Sequence, residues 1–222
     1  MKRLIFPLVL GFVGGGILIA LGLWQIQRMQ WKEGILAEIE ARIHAPAVAV
    51  PASPDPEADR YLPVKAEGKF TGAHVDVLVS RKEIGAGVRV IEAFETLEGR
   101  RLLVDRGFIA EAARALPREE GAPEVEGNLH WPQEVDSFTP KPDAKTGLWF
   151  ARDLDAMAAA LNTEPVLIVA RHPTAEGIEP MAVDASGIPN DHMGYAIQWF
   201  GLALVWFGMT AYLVWRIKRR TL

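Results

Sequence analysis

Two long stretches without a charged side chain, one near each end, constrain this sequence most strongly. They cover residues 4–24 and 195–215, so each is 21 residues long. A helix rises about 1.5 Å per residue, so either stretch can cross the roughly 30 Å hydrocarbon core of a bilayer. The sequence therefore predicts two membrane-spanning helices, which we place at residues 4–26 and 194–215.

Charged residues are divided unevenly between the ends and the middle of the chain. All 28 acidic residues lie between the two stretches with 18 of the 24 basic residues, which gives this part a net charge of −10. The ends carry basic residues and no acidic ones: Lys2, Arg3, Arg216, Lys218, Arg219 and Arg220. The positive-inside rule then predicts that the tails, residues 1–3 and 216–222, are both cytoplasmic and that the middle is outside.

The first stretch could instead be a cleaved signal peptide. Its apolar run is longer than the roughly 7–15 residues of such a segment, and no small-x-small cleavage pattern follows Leu23. We therefore expect a retained helix. The opening Met-Lys-Arg leaves no room for an Arg-rich transit peptide, which favours a bacterial source, an inner-membrane location and a periplasmic middle domain.

Glycines recur along both stretches. Gly11 and Gly15 form a GxxxG pattern, and Gly194, Gly201 and Gly208 are spaced by seven residues. Small residues on one face allow close helix approach in lipid, so we expect the two spans to pack as an antiparallel hairpin. The alternative is that glycine is simply frequent in membrane spans.

The region between the spans divides by its residue pattern. Apolar residues at helical spacing predict an amphipathic helical stem at 27–43, and four prolines predict a linker at 44–59 with no helix or strand. Residues 60–172 form the predicted extracytoplasmic domain. Residues 173–193, rich in Pro, Gly and acidic residues, are a predicted return linker.

Alternating apolar residues and turn signals predict a strand-rich domain. One segment, 154–161, looks helical after Asp153, and Glu98-Gly99 predicts a hairpin turn. The strand predictions cover six segments: 64–70, 74–80, 88–97, 101–109, 124–131 and 166–170. We expect an α+β fold with an antiparallel sheet that is rolled or partly closed, barrel-like, with its polar face toward water.

The sequence carries no pattern of an enzyme active site. No serine lies in a nucleophile-elbow motif, the five histidines lack zinc spacing, and no Gly-rich phosphate loop is present. The absence of cysteine excludes CxxC redox chemistry and covalent CxxCH haem attachment. We expect no enzymatic activity and no nucleic-acid partner.

The junction of the two predicted spans is the candidate site. In a hairpin, His192 with Tyr195 and Trp199 at i+3 and i+7 lies near the outer end of the first span. An imidazole can ligate haem iron, aromatic rings pack on a macrocycle, and basic side chains pair with propionates. The alternatives are a helix cap or an interfacial aromatic belt. The facing residues of the first span are Trp24, Gln25, Arg28 and Lys32, with Trp24 expected to stack on Arg28.

Four motifs resemble the surfeit locus protein family of cytochrome c oxidase assembly factors. They are LGLWQxxRxxxK at 21–32, EGKF at 67–70, LLVDRGF at 102–108 and NDHMxYAxxWFGLA at 190–203. The last motif is specific, whereas the two central ones would be weak alone. Phe108 and Ala93 depart from the family, which usually has Trp and Pro there.

The resemblance implies a membrane-bound chaperone for respiratory-chain biogenesis that helps place haem A in the oxidase catalytic subunit. His192 would be the haem ligand, with haem A synthase and membrane lipid as further partners. For the LLVDRGF motif at 102–108 we favour structural roles. We expect Gly107 to adopt a special backbone conformation and Arg106 to form a surface or interface pair. The alternative function is a membrane-tethered scaffold that binds an oxidase subunit without touching haem.

Overall fold

The chain divides into a helical unit and a sheet unit. The computed structural model describes residues 2–82, 84–115, 121–185 and 188–219. The helical unit comprises Met1–Glu38 and Ala185–Leu222, and the sheet unit comprises Ile39–Asp184. The end of the predicted basic tail, residues 220–222, lies outside the described residues.

The elements follow one another in an order that places a helix at each end. They are α1 (Lys2–Ile43), β1 (Val48–Ala49), β2 (Pro63–Arg81), β3 (Gly85–Thr96), β4 (Arg101–Ala110), a 3₁₀ turn (Glu111–Ala113), β5 (Glu124–His130), β6 (Leu148–Trp149), α2 (Leu154–Leu161), β7 (Leu167–Ala170) and α3 (His192–Arg219).

Helices α1 and α3 are each long and apolar enough to cross a membrane. Their most apolar windows are only 11% and 6% buried inside the protein. Exposed side chains include Phe6 and Leu204, at 74% and 76%. So much apolar surface is unfavourable in water, which is consistent with two membrane-spanning helices.

The two long helices pack through glycines of α1 and large side chains of α3. Trp206 Nε1 donates a hydrogen bond to the Gly11 carbonyl at 3.1 Å. A side chain added at any of four α1 glycines would collide with α3, in the pairs Gly11–Thr210, Gly14–Trp206, Gly15–Phe207 and Gly22–Phe200. Since the residue numbers run in opposite directions, the helices are antiparallel, as the hairpin prediction requires.

The glycines of α3 do not serve this packing. A Cβ added at Gly194, Gly201 or Gly208 would meet no atom within 4 Å. Aromatic and β-branched side chains of α3 fill the space over the α1 glycines instead. The expectation that both glycine stripes support the hairpin is therefore correct for α1 and wrong for α3.

The sheet has seven strands and is mixed. Strands β1 and β6 pair with β2 in parallel, and β7 pairs with β4 in parallel. The remaining pairs are antiparallel. The prediction of an antiparallel sheet is thus wrong in part, because the long connection through α2 returns the chain so that β7 enters between β4 and β5, parallel to β4.

Strand β2 is one long element where the sequence predicts two strands. Its first residues pair with β5, and from Gly68 onward it pairs with β3, with a register shift between Phe70 and His74. Gly72 lies at this irregularity with φ +79°. Because β5 also pairs with β7, the hydrogen-bonded pairings form a circuit through β2, β3, β4, β7 and β5.

Both faces of the central strands are covered. On β4, Leu102 and Val104 belong to one core cluster while Leu103 belongs to another. The second cluster includes Met157 and Leu161 of α2, a helix whose N-cap is Asp153, as predicted. The expectation that one polar face meets water is therefore wrong for β4, which is buried on both sides.

The segments predicted as linkers contribute to the sheet unit. In 44–59, β1 forms a short strand, and Arg100 donates to the Pro51 carbonyl at 2.8 Å. In 173–184, Ile178 is buried, and Glu179 exchanges two backbone hydrogen bonds with Phe108. Prolines remove the periodic pattern from these segments, but single apolar residues still pack.

Candidate functional site

His192 is the first residue of α3 and contacts Gln25 of α1. The His192 Nδ1 and Gln25 Oε1 atoms are 2.8 Å apart, across 167 residues of sequence, and the contact is partly buried. An amide oxygen only accepts hydrogen bonds, so Nδ1 carries the proton and donates. In a neutral imidazole with this tautomer, the other ring nitrogen, Nε2, has the lone pair.

The positions of these two residues follow from the helix pairing. Gln25 directly follows the apolar stretch of α1, and His192 precedes that of α3. Antiparallel packing brings the end of the first apolar stretch to the start of the second. Gln25 and His192 lie at these two points, so their side chains can meet. The sequence prediction that the span ends share one site is consistent with this contact.

Lys32 and Arg28 extend the polar end of the helical unit. Lys32 Nζ donates to the Pro189 carbonyl, which ties α1 to the segment before α3. The Arg28 guanidinium lies 3.9 Å from the centre of the Trp31 ring. The expected stacking on Trp24 is therefore wrong. Trp31 lies toward the charged stem, so the guanidinium stays away from the apolar stretch.

The aromatic residues predicted for the site present open surfaces. Trp24 and Tyr195 are 54% and 52% exposed, and Trp199 is half-buried. Trp31 is a site residue that sequence reasoning missed, although its i+3 spacing from Arg28 would have indicated the contact. These rings offer apolar faces on the same helices that carry Gln25 and His192.

The described residues contain no group of three or more His, Cys, Asp or Glu side chains that could hold a bare metal ion. A single imidazole with a free nitrogen suits a metal whose other ligands come from a macrocycle. The donor set at His192 therefore fits haem iron better than a bare ion such as zinc, which needs three or four protein ligands.

Arg106 of the central motif is a structural residue of the sheet unit. It is 1% exposed, and its Nη1 lies 2.5 Å from Glu92 Oε2. Its Nε donates to Thr174 Oγ1 at 2.9 Å, and its guanidinium covers the Phe70 ring. The prediction of a surface or interface pair is wrong, because the bent β2 and the 173–184 segment bury this ion pair.

Gly107 has the special backbone conformation that the sequence predicts. Its φ is +119°, and an added Cβ would collide with the carbonyl of Glu179 and with Pro180. It also lies at a register shift between β3 and β4, next to Val90 and Ile91. A side chain at this position would strain the backbone and displace the neighbouring segment.

The SURF1 family profile matches residues 12–204 of the chain. This chain belongs to the SURF1 family. It is 31% identical to Surfeit locus protein 1 of Rattus norvegicus over 203 residues, covering 81% of this chain and 66% of the rat protein. It is 27% identical to a SURF1-like protein of Rickettsia felis over 196 residues, covering 83% of this chain and 86% of that protein.

The match to SURF1 proteins confirms the resemblance carried by the four motifs. The chain spans about two thirds of the length of the rodent relatives, and somewhat more of the Rickettsia one. Residues 12–204 include Gln25, Arg28, Lys32 and His192, so the contact between α1 and α3 lies inside the part shared with the family.

Proposed function

We propose that this SURF1-family protein is a non-enzymatic assembly factor of haem-copper cytochrome c oxidase that binds haem A through His192. It would hold haem A transiently for the catalytic subunit, with haem A synthase as the candidate supplier. Family membership supports the assembly role. The observation that carries the haem-binding role is the 2.8 Å contact between His192 Nδ1 and Gln25 Oε1.

In this function α1 and α3 would cross a bacterial inner membrane as a hairpin. Their exposed apolar side chains favour lipid, and the basic residues at both chain ends favour a cytoplasmic location for the tails. The chain between the helices, which includes the sheet unit, is then periplasmic. His192 and Gln25 lie at the outer ends of the spans, where a polar pair avoids the cost of mid-bilayer burial.

His192 would supply the ligand nitrogen. Histidines that ligate metals usually donate their second ring N–H to an acceptor, which fixes the tautomer and the ring orientation. Gln25 provides that acceptor without adding a charge. In the neutral ring, the Nε2 lone pair would ligate the haem iron, and the apolar side chains of the helices would contact the macrocycle.

Basic and aromatic side chains would complete the haem site. The Lys32 ammonium has three donors, and only one is needed for the Pro189 carbonyl, so two remain for a propionate. Arg28 is exposed and can add a second cation. Trp24, Tyr195 and Trp199 would pack on the macrocycle. Haem A brings the redox-active iron that the oxidase requires.

A scaffold function without haem is the alternative, and exposed apolar residues of the sheet unit favour it. Phe138 and Leu97 are 89% and 78% exposed, and Phe138 sits in a turn held by Asp136. Large exposed apolar side chains on a folded domain often mark protein contacts. Either side chain could contact an oxidase subunit whether or not haem binds.

The test is the Soret absorbance of detergent-purified protein from cells that make haem A. Three proteins are compared: wild type, His192→Ala and His172→Ala. His172 is an exposed histidine of the sheet unit and serves as the matched control. We expect pigment in wild type and in His172→Ala, and a loss of most pigment in His192→Ala, because the remaining contacts lack an iron ligand.

Two other results would decide against the proposal. Equal pigment in wild type and His192→Ala would remove His192 as the ligand. Absence of pigment from all three proteins, with normal membrane insertion and oxidase binding, would favour the scaffold function.

A further inference from the structure

The sheet unit contains a cavity that the proposed haem site does not use. Its volume is about 910 Å³, and its walls come from four separate segments of the chain. The rigid apolar part of the lining consists of Trp131 and four prolines, Pro54, Pro56, Pro132 and Pro165. Concave sites with apolar walls and a few polar groups are typical of ligand binding.

Arg60 is the cation of this wall that lacks a partner. Its Nε is buried without a hydrogen bond, and no ion pair of Arg60 occurs among the described residues. The second arginine of the wall, Arg152, is fully engaged by Glu134 and also reaches Asp105 at 3.4 Å. A guanidinium without a counter-charge can pair with an anionic group, so Arg60 is the cation of the wall that is available to a ligand.

The backbone next to Arg60 is held in a costly conformation. Tyr61 has φ +66°, which is rare for a residue other than glycine. Its N–H donates to the Leu129 carbonyl at 2.8 Å, and its own carbonyl accepts from Asn128 Nδ2 at 2.9 Å. Such strain persists where the surroundings enforce it, and here the two hydrogen bonds hold the backbone of the residue that follows Arg60.

The charges around the cavity favour a single carboxylate over a polyanion. Burial, with the positive charges of Arg152, Arg60 and Arg89, lowers the pKa of nearby His130 to about 4. Asp153 is engaged as the cap of α2 through Ala156 N. Glu57 and Asp155 also line the cavity and are exposed, so a phosphate or nucleic acid would meet two acidic side chains.

We propose that this cavity binds an extended segment of a partner protein that carries one carboxylate among apolar residues. The carboxylate pairs with the Arg60 guanidinium, which can donate two parallel hydrogen bonds. Extended, proline-containing peptides dock in grooves lined by aromatic rings, and here Trp131 with the prolines provides that surface. The site is independent of His192.

The experiment selects from a random short-peptide library on the full-length protein in lipid nanodiscs. An enriched peptide is then labelled and titrated by fluorescence anisotropy against wild type, Arg60→Gln and Lys65→Gln. Lys65 is an exposed cation outside the cavity and serves as the charge-matched control. The same peptide, with its Asp or Glu changed to Asn or Gln, is also titrated against the wild-type protein. This control does not depend on whether a protein variant folds.

We expect enriched peptides with an Asp or Glu beside apolar residues. Arg60→Gln should weaken binding about tenfold or more, the amide peptide should lose as much on wild type, and Lys65→Gln should bind like wild type. The proposal is overturned if no peptide is enriched, if Arg60→Gln or the amide peptide binds normally, or if inorganic phosphate displaces the peptide.

Discussion

The helical unit and the sheet unit each contain a buried or half-buried polar contact between distant residues, and the two contacts leave different groups available. In the sheet unit, Arg106 and Glu92 neutralise each other and are further bonded by Thr174 and the Gly72 amide. In the helical unit, Gln25 satisfies one nitrogen of His192, and the other has no hydrogen-bond partner in the described part of the chain. The first contact therefore serves the fold, and the second is suited to binding.

The largest effect should come from breaking the sheet contact. Arg106→Met leaves the Glu92 carboxylate buried and unpaired, which costs about 3–5 kcal/mol. We expect the Tm of the purified protein to fall by roughly 6–20 °C, measured by circular dichroism. Lys145→Met, an exposed control, should melt like wild type. The amount of haem bound per folded molecule should not change. A variant that keeps the wild-type Tm but loses haem would contradict the structural role of Arg106.

Breaking the contact between His192 and Gln25 should weaken haemin binding and leave the Tm nearly unchanged. Gln25→Leu removes the acceptor of His192 Nδ1–H, so haemin affinity should fall about 10–100-fold while Tm changes little. Gln27→Leu, on an exposed face of the same helix, is the control and should bind normally. The measurement is a Soret titration with haemin. Normal affinity of Gln25→Leu would show that the hydrogen bond does not orient the ligand.

A second imidazole, His130 of the sheet unit, sharpens the comparison through its pKa. Burial and neighbouring arginines lower its folded pKa to about 4, below the unfolded value near 6.5. The unfolded state therefore binds more protons between these values, and stability falls as the pH drops from about 6.5 to 4. After allowance for partial exposure the loss is about 1–2 kcal/mol.

The variant that tests this is His130→Gln, with thermal unfolding followed at several pH values. We expect the decrease in Tm between about pH 6.5 and 4 to be smaller than in wild type. His172→Gln, in which the replaced ring is exposed, should keep the wild-type slope. Identical slopes for wild type and His130→Gln would exclude a depressed pKa at this residue.

The smallest effect should come from Arg28. Its guanidinium is exposed and stacked on Trp31, so Arg28→Gln should weaken haemin retention only about two- to fivefold, through a partly screened propionate contact. Membrane insertion should not change. The dissociation rate of haemin to apomyoglobin measures this effect, and its salt dependence should decrease in the variant. An unchanged rate would place the propionates away from Arg28.

The sequence predicted the two long helices and the proximity of Gln25 and His192, because apolar length is a local pattern and an antiparallel hairpin brings the end of the first helix to the start of the last. It did not predict the burial of Arg106, since the enclosing 173–184 segment has prolines and no periodicity. The sequence correctly predicted that β7 is a strand. Its parallel pairing with β4 could not be predicted, because it depends on the path that the chain takes through α2. Arg28 stacks on Trp31 and not on Trp24, a choice between neighbours that spacing alone leaves open.

The most direct test of the central claim is resonance Raman spectroscopy of the ferrous, haem-loaded protein in detergent. The account predicts an iron–histidine stretching band that shifts when histidine is labelled with ¹⁵N and disappears in His192→Ala. A band that persists in His192→Ala, or that never responds to the label, would contradict the assignment of His192 as the haem ligand.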